Sequence, residues 1–164
     1  MLKIILGLSL LLCSIDTFAV VTVPQHNDLS KARLSSLQCL AVNLYHESRS
    51  ESDIANMFIV GVVLNRVNDR RYPNDICKVV FDESAFSWTG DGLPDNIYNE
   101  KQYQRLYKIV EYVLLNKQLV LSMTEGVDHY HTVSINPYWA NSEVIQYVTT
   151  IDNHKFYRWK KRGE

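Results

Sequence analysis

Residues 39–51 read Cys39-Leu40-Ala41-Val42-Asn43-Leu44-Tyr45-His46-Glu47-Ser48-Arg49-Ser50-Glu51. Leu37, Leu40, Ala41 and Leu44 recur at helical spacing and mark the buried stripe of an amphipathic helix. Glu47 falls three residues after Leu44 and seven after Leu40, so it continues the apolar face. A carboxylate there is out of bulk water, and desolvation disfavours its charged form and raises its pKa. A carboxylic acid still protonated near neutral pH is what a general acid must be. The competing reading is a helix-terminal Glu that turns to solvent or pairs with Arg49. The rest of the chain decides between them.

Upstream, Lys3 supplies a positive n-region, residues 4–13 form an apolar stretch, and Thr17-Phe18-Ala19 ends in small residues where a signal peptidase reads. Residues 1–19 are therefore expected to be a signal peptide cleaved after Ala19, with an uncleaved anchor as the alternative. Its apolar run is too short for a comfortable membrane span. Export to the periplasm or the extracellular wall space follows, with no membrane span after cleavage. Residues 20–33 read as a polar lead-in, and residues 34–164 as a single domain with a real core. The whole chain carries 17 Lys and Arg against 18 Asp and Glu. That balance gives no basic footprint for nucleic acid. The short basic tail at residues 158–162 reads as a solvated terminus.

Beyond the leader, Cys39 and Cys77 remain. An even pair in an oxidising compartment points to a disulfide, with two buried thiols as the alternative.

The first helix is expected from about residue 30 to Ser48 and the second over residues 53–68. The second is apolar on nearly every side, which places it in the middle of the domain. Asn65 and Arg66 near its end are notable, because a buried Asn must find partners. Asn65 either orients Glu47 or a substrate, or caps the helix. Residues 76–81 read as a short helix or extended segment. Phe86 and Trp88 stand in a glycine-bearing loop, either as walls against which a sugar ring stacks or as core plugs. A third helix is expected over residues 99–121.

The last third alternates as strands do. Residues 127–133, 144–150 and 155–159 give three short strands, with His129 and His131 on one face. Helices first and a small antiparallel sheet in the C-terminal third define an α+β fold. The histidines admit a metal reading. His129, His131 and His154 form a possible zinc set for a peptidoglycan amidase or peptidase with Glu47 as base.

These blocks together resemble the SleB/CwlJ cell wall hydrolase family, whose members include the catalytic domains of spore cortex-lytic enzymes. The resemblance runs over residues 39–158. It rests on the 39–51 stretch, on Val-Val-Leu-Asn-Arg-Val at residues 62–67, and on Tyr72-Pro73 followed by Cys77 and Val79-Val80. Phe86-Ser87-Trp88, His129-Tyr130-His131 with Pro137 and Trp139-Ala140, and Asn153-His154 with Phe156-Tyr157-Arg158 complete it. Ser48 and Ser50 stand where the family has Ala and Gly. Val127-Asp128 replaces Ala-Thr, and Asp152 replaces Gly.

The resemblance implies a lysozyme-like helical domain that cleaves the bond between N-acetylmuramic acid and N-acetylglucosamine in peptidoglycan glycan strands. It implies a lytic transglycosylase with Glu47 as acid and then base, no cofactor and no metal, acting as a monomer. Asn65, His129, Tyr130, His131 and His154 are then expected to orient Glu47 and the sugar amides, with Trp88, Tyr138 and Trp139 as stacking walls. Glu51 and Asp128 are the candidates for a second carboxylate if the reaction is hydrolysis. A wall-binding module without catalysis is a further class to be distinguished.

Overall fold

The computed structural model describes residues 22–24, 34–83 and 85–160. The leader expected at residues 1–19, most of the lead-in, the expected helix start near residue 30 and the end of the basic tail lie outside the described residues.

Helix α1 spans Ser36–Ser48. It begins where Ser35 accepts from the Gln38 amide and the Gln38 side chain accepts from the Ser35 amide, a reciprocal cap that satisfies two free donors. α1 is buried nearly all round, from Cys39 to Tyr45. Its partner α2, Asp53–Val67, is capped by Ser52 and is buried from Phe58 to Leu64. The two therefore share the centre of the domain. Ser48 finishes α1 inside the protein, where its hydroxyl donates to Asn56 Oδ1 at 2.9 Å. The Asn56 amide in turn donates to the carbonyls of Glu51 and Ser52. The serine that departs from the family pattern thus ties the turn after α1 to the start of α2.

A short helix α3, Ile76–Val80, follows, and a disulfide joins Cys77 to Cys39 of α1. A 3-10 turn at Ser87–Gly90 precedes α4, Glu100–Leu115, whose inner face is Tyr103, Leu106, Ile109, Val110 and Val113. The expected third helix is in fact two. Asn116 leaves helical geometry (φ −113°, ψ 32°), and its side chain bonds the Tyr112 carbonyl, which ends α4. α5, Lys117–Thr124, follows and packs on α2 at Gly61. There is no room for a side chain there, because a Cβ on Gly61 would meet the Thr124 methyl at 2.4 Å.

Three strands close the chain: β1 His129–Thr132, β2 Ile145–Ile151 and β3 His154–Trp159. They form an antiparallel sheet in the order β1-β3-β2, so β1 is an edge strand. The register sets Tyr130 opposite Phe156 and Thr132 opposite His154. These residues share the face that meets the helices, while His129, His131, Lys155 and Tyr157 share the other. Helices first and a small antiparallel sheet last is the expected α+β order.

The sheet is pinned to the helical half at its hairpin. Asp152 stands at φ +49°, in the left-handed region where the family has Gly. Its carboxylate accepts the Ser52 amide at 2.7 Å. Asn153 donates to both oxygens of Glu51, from its backbone amide and from its side chain.

Candidate active site

Glu47 occupies the last turn of α1 and is half-buried. Its Oε2 accepts the Tyr130 hydroxyl at 2.7 Å, across 83 residues of sequence. Burial pushes the Glu47 carboxyl above its ordinary range, and the Tyr130 hydrogen bond and the Arg66 charge oppose that rise. Burial, with the neighbouring Glu47 charge, also pushes the Tyr130 phenol well up, so it remains a donor. Arg49 does not pair with Glu47. It turns back to the Tyr45 carbonyl and lies over the Tyr45 ring.

Glu47 opens into a groove with two connected compartments. The inner one, about 240 Å³, has Glu47, Tyr130, His131 and Pro137 in its walls. The outer one, about 370 Å³, has Tyr72, Asp82, Glu83 and His129. Arg66, Ala85, Tyr130 and Trp139 line both, so the two form one groove.

The expected site residues divide by what they touch. Tyr130 reaches Glu47 directly. Trp139 is half-buried and forms a wall of both compartments. His129 faces the outer compartment, with Nδ1 2.8 Å from Asp128 Oδ1 and its ring beside Trp139 and Trp159. His131 is 5 % exposed, and both its nitrogens are in use. Nδ1 faces the Thr132 carbonyl, which can only accept, so Nδ1 carries a proton, and Nε2 lies 2.9 Å from the Tyr157 hydroxyl. His154 is buried beneath the sheet and meets the Tyr130 ring edge-on, and burial lowers its pKa. It supports Tyr130 rather than touching Glu47.

Four expectations are corrected. Asn65 neither orients Glu47 nor caps its helix; its amide donates to Thr124 Oγ1 and the Val127 carbonyl, fastening α2 to the segment that leads into β1. Trp88 is no groove wall. Only 6 % exposed, it stacks on His46 and donates its indole N–H to Asn43 at 3.0 Å. The zinc set does not assemble, because His154 lies on the opposite sheet face from His129 and His131. No group of three His, Cys, Asp or Glu side chains disposed to hold a metal occurs among the described residues. Tyr138, 91 % exposed, projects into solvent outside both compartments.

The two candidate second carboxylates are both engaged. Glu51 holds Asn153. Asp128 is 2 % exposed and is held by Arg71, by the Tyr72 hydroxyl and by His129.

Arg66 is the groove residue that received no role from the sequence. Its Nε donates to the Asp128 carbonyl at 2.9 Å, and its guanidinium lies against the Tyr72 and Phe86 rings at 5.5 and 5.3 Å. The available signal was a lone cation near the end of an otherwise apolar helix.

A helical half, a small sheet and a buried acid between them are the frame on which the comparisons fall, and the chain belongs to the cell wall hydrolase family, whose model matches residues 50–157. That match begins three residues after Glu47. The spore cortex-lytic enzyme of Bacillus cereus strain ATCC 14579 is 34 % identical over 58 residues, 35 % of this chain and 22 % of that protein. The spore cortex-lytic enzyme of Bacillus subtilis strain 168 is also 34 % identical over 58 residues, 19 % of its length. The chain thus spans about a fifth of the length of these curated relatives. In three dimensions it is similar to the catalytic domain of the Bacillus cereus SleB protein, with a TM-score of 0.54 and 24 % identity. That match covers 74 % of this chain and 88 % of the other, and it shows the shared fold.

Proposed function

We propose that this chain is an exported, monomeric enzyme of the bacterial wall that cleaves peptidoglycan glycan strands. The bond cut joins N-acetylmuramic acid to N-acetylglucosamine, and the reaction is a lytic transglycosylation. The observation that supports this reading is Glu47, a half-buried carboxyl whose pKa burial raises, in an inner compartment that no other carboxyl lines among the described residues. Glu51 and Asp128 are each held by several donors. Ordinary glycoside hydrolysis uses two carboxyls, one of them placed to activate water or attack the sugar. A single carboxyl suits an intramolecular reaction.

Glu47 donates its proton to the glycosidic oxygen as the bond from muramic C1 breaks. The muramic C6 hydroxyl then attacks C1 and gives its proton back to Glu47. The product ends in a 1,6-anhydro ring, and no water is consumed. Tyr130 holds the carboxyl in place in both protonation states. Arg66 adds positive charge beside it as the carboxylate forms. Trp139 offers a flat apolar wall to the sugar.

The test is mass spectrometry of soluble fragments released from purified peptidoglycan by the wild type and by Glu47→Gln. Anhydro-muramic ends from the wild type alone, unaffected by EDTA, are the expected result. The variant should lose at least about a hundredfold, the usual scale of a general acid. Reducing muramic ends would replace transglycosylation with hydrolysis. Free stem peptides, or products that persist in the variant, would remove Glu47 from the mechanism.

A further inference from the structure

Arg66 stands where the two compartments of the groove meet. It is half-buried and fixed at three points: Nε on the Asp128 carbonyl and one aromatic ring on each of two contacts. Among the described residues its two terminal nitrogens make no hydrogen bond and no ion pair. A guanidinium held this way has already lost its side-chain freedom, and its unused N–H groups form a planar fork suited to a carboxylate. The nearby acids do not occupy it. Asp128 is engaged by Arg71, Tyr72 and His129, and Glu47 accepts from Tyr130. Asp82 and Glu83, in the outer compartment, are exposed and so screened by solvent.

Peptidoglycan differs from a plain N-acetylglucosamine polymer by the lactyl arm on muramic acid. That arm brings a carboxylate near the cleaved bond, either its own where the stem peptide has been removed or one on the stem where it has not. We propose that Arg66 binds this side-arm carboxylate, and so selects muramic acid as the residue presented to Glu47. The inference rests on the glycan-cleaving reading. It adds to that reading the residue that recognises the substrate. A site built to pair with such a group discriminates strongly against ligands that lack it.

The test uses three substrates: intact glycan strands, strands stripped of stem peptides by an amidase, and stripped strands whose lactyl carboxyls are converted to neutral methylamides. Rates are measured for the wild type, Arg66→Gln and Arg66→Lys, and binding is measured on Glu47→Gln, which carries an intact Arg66. Arg66→Gln should lose roughly 10- to 100-fold in kcat/KM on carboxylate-bearing strands and little on the methylamides. Arg66→Lys should fall between. A loss greatest on stripped strands assigns the lactyl carboxylate, and a loss greatest on intact strands assigns the stem. Equal losses on all three substrates would mean that Arg66 acts only through Glu47, and the proposal would fall.

The binding arm does not depend on how the Arg66 variants fold. Glu47→Gln should bind stripped strands about tenfold or more tightly than their methylamides. Equal binding of all three overturns the proposal. If the wild type cuts no glycan yet this preference remains, the reaction assigned above fails while the recognition stands.

Discussion

At the scale of single residues, opposed influences set the acidity of the Glu47 carboxyl. Burial favours the acid; the Tyr130 hydroxyl and the Arg66 charge favour the carboxylate. Tyr130→Phe removes one of the two opposing influences, so the Glu47 pKa should rise further. In the proposed reaction the protonated form acts first, so activity should be lost as pH rises through that pKa. The alkaline limb of the rate profile should therefore move to higher pH in Tyr130→Phe. Its maximal rate should fall roughly fivefold for the loss of one positioning hydrogen bond of about 1 kcal/mol. A pH–rate profile of both proteins checks this, and an unmoved alkaline limb would show that Tyr130 does not tune the acid. Glu47 was legible in the sequence because its register on a helical stripe implies desolvation. Arg66 was visible only as an oddity, because its meaning comes from Tyr72, Phe86 and Asp128, which the fold brings to it.

At the scale of elements, the turn between α1 and α2 is held by the β2–β3 hairpin. Asp152 accepts the Ser52 amide, and Glu51 takes two hydrogen bonds from Asn153. Glu51 thus holds the hairpin, four residues from Glu47. Glu51→Ala should cost about 0.5–1 kcal/mol of stability in urea unfolding and keep most of the lytic activity. Loss of activity as deep as that of Glu47→Gln, with stability intact, would instead make Glu51 a participant in the chemistry. The strand alternation around His129 and His131 placed both on one face, as the register has it. The break at Asn116 was hidden because apolar residues recur on both sides of it, at Val113, Leu114, Val120 and Leu121. Trp88 misled for a related reason. An aromatic beside glycines looks like a binding loop until Asn43, 45 residues away, takes its indole N–H.

At the scale of the molecule, one covalent link binds the helix that carries Glu47 to the segment beneath the groove. The Cys39–Cys77 bond closes a loop with a sequence separation of 38. On the chain-entropy account, a loop of that size stabilises the fold by roughly 3–4 kcal/mol. The double variant Cys39→Ser, Cys77→Ser should therefore melt on the order of 10 °C lower. Its activity at low temperature should persist, because neither sulfur lines the groove. A calorimetric scan beside a fragment-release assay checks both halves, and an unchanged melting point would show that the loop contributes nothing.

The order of parts along the chain has a consequence for synthesis. Glu47 leaves the ribosome early, whereas the hydroxyl that holds it is made 83 residues later. At about 5–20 residues per second, the acid waits roughly 4–17 seconds for its partner. The hairpin that fixes the turn beside it comes later still. A nascent chain thus carries Glu47 before the residues that hold it and fix its turn have been made.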